Sequence, residues 1–385
     1  VTEPPASGLG NALGLYVHWP YCARICPYCD FNVYRPRDEG DVLLAAILDD
    51  MAHWRECTGA RPLVSLHFGG GTPSLMRPDQ IAAVIGAADR LFGFVPGAEI
   101  GLEANPNDLA GFADLAACGI NRLSLGVQSF DDQALVALGR DHDADLACRA
   151  IEAAQAQFRA VSLDLIYARA GQTAEHWEAE LNRAIATGAG HLSPYQLTIE
   201  AATAFGKRTA RGEVLAADPD FSADLYELTQ AVCEAAGFET YEISNHARSP
   251  EARSVHNQLY WAGGDWIGVG PGAHGRLGSA SKGGRIATEA RRHPKAYSET
   301  APRYAQSALD AHDELAERIL MGMRLAEGVD RAHLRATTGR DVDPDGLERM
   351  VRQGFVVAEG DRVRLTPPGR LLADGVSGEL VPDAG

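Results

Sequence analysis

The chain has 385 residues with 35 Lys+Arg against 52 Asp+Glu, a formal charge of −17, so its overall field opposes a polyanion such as nucleic acid. A mass of 41.1 kDa with 45% hydrophobic residues suits one large domain plus a small one, and no run of 18 apolar residues is present to span a membrane. Residues 1–13 have neither the basic start nor the apolar block of a signal peptide, so a cytoplasmic location with reduced thiols is expected.

In chain order, short β-rich runs at 15–18, 63–68, 100–104, 122–127, 161–167 and 191–199 read as buried strands. Between the first two, Leu44, Ile47, Leu48, Met51 and Trp54 recur at helical spacing, and further helices are predicted at 79–92, 143–157, 174–187 and 221–236. Strands alternating with helices predict an α/β fold with a parallel sheet, open or curved into a full or partial barrel; either places ligands at the C-terminal strand ends. Glycines 263, 264, 268, 270, 272, 275, 278, 283 and 284 predict an irregular stretch that closes this domain.

Beyond it, Leu315, Ile319, Leu320 and Met323 predict a helix, 347–352 a shorter one, and 355–357 with 363–365 a hairpin turned at Glu359-Gly360-Asp361. Two helices and a hairpin form a winged-helix-like α+β module. Residues 301–385 carry 11 Arg and no Lys against 15 Asp+Glu, which argues for a packing or lid module and against nucleic-acid binding. The expected division is a tail at 1–14, a core with its glycine-rich extension at 15–290, the C-terminal module at 300–376 and a tail at 377–385.

The central motif is Cys22-x3-Cys26-x2-Cys29, a loop directly after the first strand. Zinc would need a fourth ligand, for which His18 is at hand, but no second cysteine pair exists. An iron–sulfur cluster on three thiolates leaves one iron open, where an α-amino carboxylate can chelate and bring a sulfonium beside a one-electron donor. Gly69-Gly70-Gly71-Thr72-Pro73 follows the second strand, where glycines admit close backbone approach. Glu103, Gln128, Arg140 and Asp164, at or beyond later strand ends, supply complementary charge for such a ligand. Cys57, Cys118, Cys148 and Cys233 fall on predicted helices and read as small buried hydrophobes.

The cysteine loop, with Tyr28 before its last cysteine, resembles the radical-SAM superfamily. That resemblance implies a partial (β/α)6 TIM-like barrel, a [4Fe-4S] cluster on Cys22, Cys26 and Cys29, and S-adenosylmethionine (SAM) at the open iron. It also assigns Gly70, Gly71 and Thr72 to the element that contacts the methionine amino group. Glu103, Gln128, Arg140 and Asp164 match SAM-binding positions, and Tyr16 and Tyr28 join that set.

Residues 15 to about 372 resemble the oxygen-independent coproporphyrinogen III oxidase group and, within it, the HemW-type heme chaperones. The matching stretches include Tyr16-Val17-His18-Trp19-Pro20, Tyr241-Glu242-Ile243-Ser244-Asn245 and Gly268-Val269-Gly270-Pro271-Gly272-Ala273-His274. Phe31 stands where the oxidases carry a fourth cysteine, the segment ahead of Cys22 is short, and His256-Asn257-Gln258-Leu259-Tyr260-Trp261 matches the H-N-x-x-Y-W signature of the chaperones. The resemblance implies a protein that binds heme and passes it to apo-hemoproteins of the respiratory chain. His256 would offer an imidazole to iron, and Tyr260 and Trp261 flat contact to the macrocycle. Peripheral association with the inner membrane face and a homodimer accompany this reading. Its rivals are radical-SAM decarboxylation of coproporphyrinogen III and a purely structural cluster. The sequence departs from the group at Ala168-Arg169-Ala170, where Gly-Leu-Pro is usual, and this bears on the loop beside Asp164.

Overall fold

The computed structural model describes residues 12–279 and 283–383, so residues 1–11 of the expected N-terminal tail lie outside the described residues. Six strands, β1 (Leu13–Trp19), β2 (Leu63–Gly70), β3 (Phe94–Ala104), β4 (Arg122–Gln128), β5 (Ala160–Tyr167) and β6 (His191–Gln196), pair in parallel and in sequence order. β6 does not return to β1, so the sheet is an open, partial barrel. Beyond β6 run β8 (Asn245–Ala247) and β7 (Glu239–Glu242). On the β1 side come β9 (Asp265–Val269), β10 (His274–Ser279), β11 (Gly284–Ala290) and β12 (Tyr304–Leu309).

Period-two alternation in the parallel strands decides which side chains face the barrel. Leu123, Leu125, Leu163, Leu165, Leu66 and Phe68 are fully buried among helix residues such as Ile47, Trp54, Ile81, Ile151 and Trp177. The alternate residues Arg122, Ser124, Ser162, Asp164, His191 and Ser193 line one interior cavity. The crossover helices start where the sequence supplies caps: Asp143, Thr173 and Asp218 accept backbone N–H groups at the heads of Ala144–Gln157, Ala174–Ala186 and Pro219–Ala235.

The glycine-rich stretch is not irregular. It contributes β9, β10 and β11 to the main sheet, because its glycines sit where backbone comes too near for a side chain: a Cβ on Gly268 would lie 2.1 Å from the His274 carbonyl oxygen. Of the four remaining cysteines, expected to be buried, three are not. Cys233 alone is buried, Cys57 is exposed, and Cys118 and Cys148 are partly exposed.

A second hydrophobic cluster, built on Leu315, Ile319, Met323, Leu334, Met350, Val363 and Leu365, sits behind a small antiparallel sheet of β13 (Val329–Asp330), β15 (Arg362–Leu365) and β14 (Val356–Glu359). Helices Ala311–Gly322, Arg331–Thr338 and Pro344–Arg352 pack around it. Residues 377–380, read as tail, belong to this cluster instead: helix Ala373–Glu379 buries Val376 and Ser377, and Leu380 is fully buried. Leu13 and Gly14 likewise belong to β1. Among the described residues no helix is long and apolar enough to cross a membrane.

Candidate functional site

The cysteine loop is held at both ends. The Cys22 N–H donates to the Tyr34 carbonyl at 2.9 Å and the Tyr34 N–H to Pro20 at 2.7 Å, which close the loop's base against β1. The His18 ring spans Tyr16 Oη (3.1 Å) and the Asn32 carbonyl (3.0 Å). On the far side, Phe205 N–H donates to Pro27 at 2.8 Å. Burial pushes the Cys29 thiol up to about 11 and raises that of Cys22, so at neutral pH both are thiols whose protons a metal would displace.

One ion could not gather all three sulfurs as they stand. A tetrahedral zinc with bonds of about 2.3 Å puts its sulfurs about 3.8 Å apart. Among the described residues, the group of metal-ligating atoms that converges within 4.8 Å is Asp310, His312 and Asp313, an ordinary helix cap in which the Asp310 carboxylate accepts two backbone N–H groups. Three thiolates at the mouth of one cavity suit a multi-iron cluster.

The glycine triplet owes its composition to the protein before any ligand. A Cβ on Gly71 would lie 2.7 Å from the Tyr21 carbonyl oxygen, and one on Gly70, at φ 107°, would meet the His18 ring at 2.5 Å. Gly71 N–H donates to Trp19 and Thr72 N–H to Tyr21, both at 2.8 Å, so the turn after β2 is stitched to the root of the cysteine loop. Gly70 N–H donates to Glu103 at 3.1 Å.

Behind the loop lies a cavity of about 410 Å³ that reaches from the strand ends down into the barrel. Cys22, Cys26, Tyr28, Cys29, Gly70, Gly71, Thr72, Glu103, Gln128, Arg140 and Asp164 all line it, so the structure brings the expected cluster and SAM residues to one place. Tyr16, partly buried and off the cavity lining, hydrogen-bonds His18 and stacks on His67, which lines the cavity. Arg140 donates to Cys26 Sγ at 3.3 Å and to the Gly126 carbonyl at 3.1 Å, while its Nε is buried without a partner. Asn105 Oδ1 and His67 Nδ1 on the same wall are also buried and unpartnered. Such orphaned groups call for a polar ligand or ordered water. With two carboxylates for a cation and a guanidinium for a carboxylate, the wall fits an amino-acid sulfonium.

Asp164 accepts Ser124 Oγ–H on both oxygens at 3.1 Å, and burial, reinforced by Glu103, pushes its carboxyl up to about 7. Gln128 ends β4 at φ 67° on a register shift that turns it toward the cavity. The Ala168-Arg169-Ala170 departure is pinned, not loose: the Arg169 guanidinium donates to Ser129 Oγ at 2.6 Å and pairs with buried Glu180. Ala168 itself holds φ 59°, a conformation that glycine adopts more readily.

The heme candidates sit elsewhere. Helix Val255–Trp261 closes the opposite end of the barrel, its first N–H groups capped by Glu99, which Arg122 faces at 3.4 Å. His256 points inward and stacks on His67 at 4.3 Å, with Tyr16 at 5.9 Å and Tyr260 at 4.8 Å. Burial holds its imidazole neutral, well below the usual histidine range. Tyr260 stacks on Trp266 at 4.1 Å, whereas Trp261 lies under Arg324 at 4.7 Å. His256 and Tyr260, four positions apart, share a helix face and meet each other, whereas Trp261 is turned away toward Arg324, so the three do not form one open face.

Sequence reasoning passed over Ser124, Ser162, Ser193, His67, His191 and Tyr195, which also line the cavity. The signal was present as polar residues at every second position of β4, β5 and β6.

Residues 16–184 match the model of the Radical SAM superfamily, and residues 309–372 that of the HemN C-terminal domain. Heme chaperone HemW of Mycobacterium tuberculosis is 36% identical over 379 residues, 95% of this chain and 94% of that protein. Heme chaperone HemW of Escherichia coli is 34% identical over 94% of this chain and 96% of its own length. Radical S-adenosyl methionine domain-containing protein 1, mitochondrial, of Mus musculus is 35% identical over 99% of this chain and 90% of its own length. The solved coproporphyrinogen III oxidase (HemN) of Escherichia coli superposes with a TM-score of 0.81 over 97% of this chain and 91% of that one, at 22% identity, a likeness of fold. On the similarity of whole chains and the cysteine loop at the barrel's mouth, this protein belongs to the radical SAM superfamily and, within it, to the family of the heme chaperone HemW.

Proposed function

We propose that the protein is a heme chaperone that carries a [4Fe-4S] cluster and SAM and passes heme to apo-hemoproteins such as respiratory enzymes, working in the cytoplasm as a peripheral visitor to the inner membrane face. The observation that carries this reading is the match, over nearly the full length of both chains, to proteins named heme chaperone. The core, from β1 through β12, holds the cofactors, and the module from helix Ala311–Gly322 to Leu380 packs against it.

Cys22, Cys26 and Cys29 hold the cluster. Arg140, Glu103, Gln128 and Asp164, with Gly70, Gly71 and Thr72, orient SAM; Tyr16 supports the wall and Tyr28 closes it on the cysteine-loop side. When bound, the two cofactors supply one-electron chemistry at the cavity mouth. The chain's own residues bind and orient: Arg140 sets a cation against Cys26, and Glu103 links the wall to the glycine turn through Gly70. His256, Tyr260 and Trp261 serve heme only if the stack of Tyr16, His67 and His256 opens.

The test uses anaerobically reconstituted protein. Uptake of heme with a Soret band, transfer to an apo-hemoprotein, and no protoporphyrinogen from coproporphyrinogen III with SAM and reductant support the chaperone. Robust turnover of coproporphyrinogen III would establish the oxidase instead.

A further inference from the structure

We infer that heme docks on an arginine-rich face beside the cysteine loop, with Phe31 under the macrocycle and His293 as the iron ligand. This rests on the heme-chaperone reading and names where the cargo sits on the closed molecule.

Charge is the first observation. The chain carries −17 overall, yet residues 22–37 hold Arg24, Arg35 and Arg37 against Asp30; of the acids that follow, Glu39 and Asp41 pair with Arg77 and Asp38 accepts the Gly40 N–H, and Arg291-Arg292-His293 lies alongside with no acid among the three. All five arginines are exposed, and among the described residues none of them forms an ion pair. Arg291 donates to the Pro302 carbonyl and Arg24 to that of Arg140, but none of the five has an acid partner, and guanidinium groups so placed suit a small dianion such as heme with its two propionates.

The two segments are held together by Asn32. Its Nδ2 donates to the Pro271 carbonyl at 2.9 Å and to the Arg292 carbonyl at 2.7 Å, and its Oδ1 accepts from Tyr34 Oη at 3.3 Å. A Cβ on Gly272 would sit 2.7 Å from Asn32 Nδ2, so that turn leaves no room for another residue. Tyr34 meets the His293 ring edge to face at 5.5 Å, which fixes the imidazole next to the loop while leaving it exposed. Arginines alone would serve any anion. The added features are an accessible imidazole and flat apolar surface: Phe31 is 63% exposed and Ile25 40%, both on the cavity rim. An imidazole and an aromatic ring are what iron and a porphyrin require in addition to cations.

The interior offers no equivalent. The cavity floor is lined by Ser162, Ser193, His191 and Arg122, polar groups that an apolar macrocycle would strip of water, and His256 is stacked inside the barrel.

The experiment titrates the full-length, cluster-loaded protein with hemin and follows the Soret band and dissociation constant, with cluster iron and SAM binding as controls for fold. His293→Ala is expected to shift the Soret band and weaken binding at least about tenfold, and the pair Arg35→Glu with Arg292→Glu to weaken it similarly with a shallower salt dependence. His256→Ala is expected to keep affinity within about threefold. Wild-type affinity and an unshifted band in both face variants, with loss in His256→Ala, would overturn the inference and leave the chaperone reading standing. Failure of the unaltered protein to take up hemin would instead sink that reading, and the docking face with it.

Discussion

Replacing Asp164 by Asn sets stability against binding at one carboxyl. Asp164 is partly buried on the cavity wall, and its carboxyl is pushed from an ordinary 3.8 up to about 7 by desolvation and by Glu103. A folded-state value raised above the unfolded one means that the native protein prefers the protonated form. The associated stability is fully present below pH 4 and is lost as pH rises through 7. Roughly three units at about 1.4 kcal/mol each give about 4 kcal/mol of strain when Asp164 is ionised at pH 8. Asn removes that ionisation and can still bond Ser124. Asp164→Asn without SAM is therefore expected to be more stable than the parent by about 2–4 kcal/mol at pH 8, with the gap falling below about 2 kcal/mol by pH 5. Denaturant midpoints of the two proteins, compared at each pH, measure it. The same carboxylate is proposed to face the cationic ligand, so SAM affinity of the parent should rise as pH climbs through 7 and that of the variant should stay low and flat. A variant no more stable at pH 8, or a gap that ignores pH, would refute the desolvated-carboxylate argument.

Other substitutions probe the surrounding frame. Gly71→Ala places a methyl against the Tyr21 carbonyl and should cost about 1–3 kcal/mol, seen as a lower unfolding midpoint together with poorer iron retention. Arg140→Met should weaken SAM binding about 10- to 100-fold by calorimetry while iron content holds, since Arg140 touches Cys26 but supplies no ligand of its own. Ala168→Gly relieves φ 59° and should raise the unfolding midpoint by the equivalent of up to about 1 kcal/mol, without changing SAM affinity.

The strands that build the site were legible because each is a short apolar run between turn residues, and β4 and β5 were located to within a residue or two. β3 was shortened at its start, since Pro96 and Gly97 look like a turn; the lost portion includes Glu99, which caps the helix bearing His256. β9, β10 and β11 were missed for a related reason. Glycine weakens a strand in general, yet Gly268 and Gly275 are needed where neighbouring backbone approaches within about 3 Å.

The cysteine loop was legible from spacing alone, since three thiols in eight positions leave little else to be. The serines and histidines on the cavity wall were not singled out, although Arg122, Ser124 and Gly126 alternate with Leu123, Leu125 and Val127 in plain view. Reading that alternation as a barrel with a polar interior required knowing that both faces of the sheet are covered. The orientation of His256 could not come from its motif, because neighbours along a short helix point around the compass and tertiary packing chooses which one enters the barrel.

Electron paramagnetic resonance of the reduced, oxygen-free protein, recorded before and after adding SAM, addresses the main point directly. Three thiolates with one iron left for the amino acid predict a [4Fe-4S] signal whose g-values shift on adding SAM, and which is lost in Cys26→Ala. A cluster signal that SAM leaves untouched, or a preparation with no such signal, would contradict the account.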